Sequence, residues 1–228
     1  MKDIWDKIWK EDSSYSSSEY RKMTDYKIKR ITFDSSIKDS TILEIGCGDG
    51  IVLKKFLEMD ENNTLIGLDI SEYAISQAKE ENTKIRFDVC DARNLTIESD
   101  SMDLVYSIGL IEHFNHKDLT MCLNEKKRVL KTNGQLVIMI PNKLSFGRVQ
   151  RKIMNILGKW SFGYQTEFTP NEMMNILKEA GFRSIEVKTY NVFKPKKLDS
   201  FYFIWLIDTI CHFFKKDNYF HLYIRGVK

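Results

Sequence analysis

The stretch Ile42–Gly50, ILEIGCGDG, runs buried-strand residues straight into glycines at alternate positions, Gly46, Gly48 and Gly50. Glycine loses more backbone freedom on folding than any other residue, so this spacing is unfavourable in an ordinary loop. It is explained where a turn is unusually tight, or where something must approach the backbone closely. The flanking sequence has to hold such a bend between rigid elements.

From Thr41 onward, short apolar runs alternate with helical patterns. The strand-like runs are TILEI, TLIGLD from Thr64, KIRFDV from Lys84, DLVYSI from Asp103 and GQLVIMI from Gly134. Helices are expected near Ile51–Met59, Glu72–Glu80 and Asp118–Lys131. This βαβα rhythm predicts an α/β fold, because parallel strands need crossover helices that cover both faces of the sheet. After Pro141 the rhythm changes. A basic, apolar-striped stretch leads to TPNEMMNILKEAGF, a helix with Thr169 as N-cap, Pro170 at its first position and Gly181 as terminator. SIEVKTY from Ser184 and FHLYIRGVK from Phe220 read as closing strands around an aromatic segment. Residues 1–40 are expected to form an N-terminal helical lid and linker. Residues 41–228 form the main domain, with cap segments at about 144–168 and 191–218.

A net charge of +3, from 35 basic and 32 acidic residues, is too mild to imply a nucleic-acid partner. The four cysteines, Cys47, Cys90, Cys122 and Cys211, are scattered without a CxxC pair, so neither a metal site nor a disulfide framework is expected. The charged start lacks a signal-peptide core, and Phe201–Phe214 is apolar but too short to span a bilayer. The expected location is cytoplasmic, with peripheral contact at a membrane surface left open.

A strand, a glycine turn and a helix put the helix N-terminus at the carboxyl edge of the sheet, where open α/β folds bind ligands. The P-loop pattern is absent, since no lysine-serine or lysine-threonine pair follows the glycines. A dinucleotide loop wants a third glycine where Ile51 stands. Glu44 inside the strand suits a ligand bearing positive charge. Asp69 ends the next strand, nineteen residues beyond Gly50, where a carboxylate can accept both ribose hydroxyls. Asp91, just past the third strand, can accept from an exocyclic adenine amine. Together these mark a nucleoside site without a phosphate. Alone, Asp69 reads equally well as a helix cap, Asp91 and Asp88 as turn formers, and Cys47 as a small loop filler.

In these segments, and in MDLVYSIGLIEHF and VLKTNGQLVIMIPN, the chain resembles the class I S-adenosylmethionine-dependent methyltransferases, in the small-molecule branch with a Glu-His pair after the fourth strand. The resemblance covers roughly Thr41 to Tyr190. It implies a Rossmann-like seven-stranded sheet, mostly parallel, with an antiparallel last strand and helices on both faces. It also implies S-adenosyl-L-methionine as cofactor. The Gly46–Gly50 loop with Cys47 and Gly48 would lie along the methionine part, with Glu44 near its ammonium. Asp69 would take the ribose, Ile70 the adenine face, Asp91 and the Ala92 N–H the adenine edge, and Ser107 would border the donor methyl.

His113 follows the fourth strand, where an acceptor would meet that methyl, and a neutral imidazole there can serve as general base. A structural or substrate-contact role is the weightier alternative. Trp5 and Trp9 lie four apart on one helical face, as a lid over the cofactor would require. In Arg148–Trp160, the residues Val149, Ile153, Ile156, Leu157 and Trp160 share a face that is expected to pack on its own domain as a cap, a membrane-facing role being the lesser reading. Tyr164 and Glu167 are the candidate acceptor contacts. The expected reaction is methyl transfer to a small-molecule or lipid-like acceptor, with oxygen slightly favoured. The alternatives are a non-catalytic cofactor-sensing module and, less favoured, a nucleic-acid methyltransferase.

Overall fold

The computed structural model describes residues 2–11, 18–32, 37–145, 147–157, 165–190 and 221–228. Its strands are β1 (Thr41–Ile45), β2 (Thr64–Asp69), β3 (Arg86–Val89), β4 (Met102–Ile108), β5 (Leu130–Pro141), β6 (Arg183–Tyr190) and β7 (His221–Val227). Among the described residues these form one sheet in the order β3-β2-β1-β4-β5-β7-β6. The first five strands run parallel, and β7 lies antiparallel between β5 and β6.

Period-two alternation sends neighbouring residues of the central strands to opposite faces, and both faces are buried. Leu43, Ile45, Val105 and Ile138 enter one core, while Ile42, Leu104, Tyr106 and Val137 enter the other. That is why β1 and β4 read as continuous apolar runs.

The helices are α1 (Lys2–Glu11), α2 (Ser18–Ile31), α3 (Ile51–Met59), α4 (Glu72–Glu81), α5 (His116–Val129), α6 (Gly147–Ile156) and α7 (Pro170–Glu179). Thr169 caps α7 as its sequence implies, and Glu172 completes a reciprocal capping box. Helix α5 starts at His116 and stops at Val129. Leu130 is already paired with Met102, and the register then shifts before Leu104 meets Gln135. Asp88 is not a turn former: it lies inside β3, paired in register with Leu68, and its carboxylate accepts from Arg86 Nε at 2.7 Å. The expected cap at 191–218, with Phe201–Phe214, lies outside the described residues. Among the described residues, no helix is long and apolar enough to cross a membrane.

The chain steps outward from β1 through β2 to β3, then returns past β1 to β4. The crevice beyond the carboxyl ends of β1 and β4 is therefore a topological switch point, where such sheets hold ligands.

Candidate functional site

The glycine loop fills that crevice. The Gly46 and Cys47 N–H groups both donate to the Leu68 carbonyl, at 2.7 and 3.1 Å, which ties the loop to β2. Gly46, Gly48 and Gly50 are all left-handed, with φ of 78°, 55° and 72°. Tight turning and close approach both apply. A Cβ on Gly50 would stand 2.5 Å from the Phe87 ring, and one on Gly48 would overlap the Trp9 indole.

Asp69 locks this arrangement. One carboxylate oxygen accepts from the Gly48 N–H and the other from the Ser71 N–H, each at 2.9 Å. Burial raises its pKa, and those N–H donors oppose the rise. Asp69 is therefore not the cap of α4. Ser71 is, its Oγ accepting from the Ala74 N–H at 3.2 Å.

Glu44 is buried within β1, and burial pushes its pKa well above the carboxylate range. The Tyr106 hydroxyl, donating at 2.9 Å, and the charge of Lys27 pull it back. Lys27 was not singled out in the sequence. It is only 5% exposed on α2, and burial lowers its pKa to about 8 against the fields of Glu44 and Asp49. A signal did exist, because Thr24, Lys27, Ile28 and Ile31 form one buried helical stripe in which a lysine is out of place. Cys47 is buried, and burial pushes its thiol well up, so it stays protonated.

At the next strand end Asp91 is held by Arg93, which donates through Nε and Nη2 at 2.9 and 2.6 Å, and through its backbone N–H at 2.9 Å. Arg93 also reaches Asp118 at 3.1 Å. The guanidinium keeps Asp91 below its ordinary pKa. Ala92 is buried beside it, and Ile70 is half-buried after Asp69. Ser107, near the end of β4, is buried, and its Oγ has no hydrogen-bond partner among the described residues.

His113 closes a short 3₁₀ turn, Ile111–His113. The Trp5 ring meets it edge-on, with centroids 4.9 Å apart, and Gln165 Nε2 lies 3.5 Å from its Nε2. The Thr166 N–H donates to the Glu112 carbonyl at 2.6 Å, which brings 165–168 alongside this turn. Glu167 pairs with Arg148 at 2.7 Å, and Tyr164 lies outside the described residues.

Helix α1 touches both halves of the site. Trp9 packs on Gly48 while Trp5 meets His113. Asp6 accepts from Ser71 Oγ at 2.6 Å and from the Tyr73 N–H at 3.3 Å, and Lys2 pairs with Glu72 at 2.6 Å. No group of three metal-ligating side chains occurs among the described residues.

The loop, the two strand-end acids and the switch-point crevice are arranged as in a nucleoside-binding α/β domain, and the chain is similar to S-adenosylmethionine-dependent methyltransferases. Residues 42–134 match the family described as methyltransferase domain. The chain is 29% identical over 193 residues to the ubiquinone/menaquinone biosynthesis C-methyltransferase of Campylobacter jejuni, covering 71% of this chain and 80% of that protein. It is 31% identical over 102 residues to a probable tRNA methyltransferase 9B of Mus musculus, covering 44% of this chain and 22% of that one. In the solved complex between the Trm112 methyltransferase activator of Haloferax volcanii and the putative methyltransferase, one chain superposes with a TM-score of 0.76 at 17% identity, over 99% of this chain and 96% of that chain. This likeness speaks to the fold. The chain spans about a fifth of the mouse protein, and 47% and 65% of two other curated relatives.

Proposed function

We propose that the protein transfers a methyl group from S-adenosylmethionine to a small-molecule or lipid-like acceptor. The observation that carries this reading is the meeting, at one sheet edge, of a glycine-rich loop, the buried acids Glu44 and Asp69 at the ends of the strands beside it, and His113 against the same helix that covers the loop.

The residues present fit the cofactor. Ser107 Oγ, near the end of β4, is an orphaned buried polar atom, and the glycines leave room only for the Trp9 indole over Gly48 and the buried Phe87 ring against Gly50. The cofactor's amino-acid end carries both signs of charge. Glu44 answers its ammonium and Lys27 its carboxylate. An incoming cation would add to the Tyr106 hydrogen bond and the Lys27 charge that already favour the ionised form of Glu44. Asp69 takes the ribose hydroxyls with lone pairs left over from its two N–H donors, since an ionised carboxylate has about four acceptor positions. Asp91, pinned by Arg93, presents its remaining lone pairs to the adenine amine, with the Ala92 N–H and Ile70 completing the base contact.

When bound, the sulfonium supplies an already electrophilic methyl. The chain's own task is then to orient the acceptor in line behind it and to exclude water. Helix α1 serves as the lid, with Trp9 over the loop and Trp5 against His113. For a hydroxyl acceptor, His113 receives the proton, its imidazole oriented by Gln165 and Trp5. Glu167, tied to Arg148, borders the acceptor side.

The quinone-biosynthesis relative favours a lipid-like acceptor. A second reading, methylation of RNA, is favoured by the probable tRNA-methyltransferase relative. An acceptor screen with methyl-labelled cofactor separates them. Label in quinone- or lipid-like phenols that is lost in His113→Ala supports the first reading. Label only in RNA overturns it, and tight cofactor binding without transfer to any acceptor supports a sensing module.

A further inference from the structure

The described residues expose eight large hydrophobic side chains, and half of them, Leu144, Ile153, Ile156 and Leu157, fall in or beside α6. Scattered exposed leucines need no explanation, but a cluster does. The expectation that this stripe packs on its own domain fails for the three described members. Ile153 is 51%, Ile156 85% and Leu157 59% exposed. At i, i+3 and i+4 they share one helical face.

Residues 142–166 contain Lys143, Arg148, Arg151, Lys152 and Lys159 but no aspartate or glutamate. Lys143 and Arg148 are paired with Glu172 and Glu167 from the following segment, at 2.9 and 2.7 Å, so the basic character next to the apolar residues is carried by Arg151, Lys152 and Lys159 in the sequence. Lys152 is exposed beside the apolar residues. Helix α6 also starts just past the carboxyl end of β5, the edge that carries the candidate site: Ile108 pairs with Met139 there, and the Gly109 N–H donates to the Met139 carbonyl at 2.9 Å.

We infer that α6 is a docking face for an anionic lipid bilayer, which seats the mouth of the site on the membrane surface. A bilayer takes up both features at once. Its acyl boundary receives Ile153, Ile156 and Leu157, and its phosphates receive Lys152 and the cations next to it in the sequence. A nucleic acid would pair with the charges but leave Ile156 and Leu157 in water. A second copy of the chain would bury the apolar face at the cost of apposing two carboxylate-free basic segments. The purpose of the face rests on the lipid-like acceptor reading. Its existence is measured without turnover, so the two fail separately.

The test is flotation of the full chain with vesicles of phosphatidylcholine alone and of phosphatidylcholine with phosphatidylglycerol. The expected result is binding to the anionic vesicles, weakened by salt. Ile156→Glu combined with Leu157→Glu should reduce it at least tenfold, and Lys152→Glu severalfold. Both variants should keep the wild-type melting temperature and cofactor affinity, because the altered side chains are exposed. Three results would overturn the inference: equal binding to neutral vesicles, binding untouched by the double variant, or a dimer in the ultracentrifuge that the double variant dissociates while no vesicle is bound.

Discussion

Lys27 offers the sharpest test of the proposed cofactor geometry. Its side chain is buried on α2, and burial brings its pKa to about 8, the fields of Glu44 and Asp49 opposing the fall. At pH 7 it is charged, and a bound carboxylate would add a further opposite charge to those of Glu44 and Asp49. A hydrogen bond to a charged group contributes about 1.5–3 kcal/mol, so Lys27→Met should weaken cofactor binding roughly ten- to hundredfold. Calorimetry with S-adenosylmethionine and with its decarboxylated analogue isolates the contact, since only the former should lose affinity. The pH dependence has a definite sign. Carboxylate binding needs the ammonium form, so in the wild type affinity holds below about pH 8 and falls as the lysine deprotonates above it. The same titration changes stability in the opposite sense. Between about 8 and the unfolded value near 10.5, the unfolded chain holds the extra proton, so this residue's contribution to stability rises with pH across that window. Equal losses for both ligands, or a pH profile unchanged by Lys27→Met, would show that Lys27 supports the fold without touching the cofactor.

Asp69→Ala should abolish cofactor binding and also cost about 2–4 kcal/mol of stability, because the Gly48 and Ser71 N–H groups both lose their acceptor; urea titration alongside calorimetry reads the two effects. Gly50→Ala should lose about 2–4 kcal/mol, combining a left-handed φ of 72° with a Cβ only 2.5 Å from Phe87. Adding Phe87→Leu should recover the steric part and leave the backbone part. Lys126 is fully buried in α5, and its ammonium has no hydrogen-bond partner among the described residues. Burial lowers its pKa, so its penalty is largest at low pH and fades as pH rises toward 10.5. Lys126→Met should raise stability by about 1–3 kcal/mol at neutral pH and flatten that slope, as differential scanning calorimetry across pH would record.

Local signals carried much of the architecture. The strand-glycine-helix succession around Gly46–Gly50, the period-two and period-3.6 runs, and the Thr169–Pro170 start of α7 each rest on contacts within a few residues. That is the range over which dihedral preference and capping act. The acids Glu44, Asp69 and Asp91 were legible for the same reason, since each sits at a fixed offset from a strand end. The join of α5 to β5 was not, because Leu130 pairs with Met102 far away in sequence.

What the sequence determined by itself is the succession of strands and helices after Thr41, the glycine bend, and the acidic positions at the strand ends; α2 (Ser18–Ile31) lay in the stretch read as lid and linker. Tertiary structure alone decided the partners. Asp69 clamps Gly48 and Ser71, Arg93 pins Asp91, and Trp9 and Trp5 of one helix reach the loop and His113 together. It also placed Lys27 of α2 in the interior and left Ile156 of α6 in solvent. Periodicity shows that a helix has two faces. Which face is buried depends on the surface it meets, and that surface is assembled from residues distant in the chain.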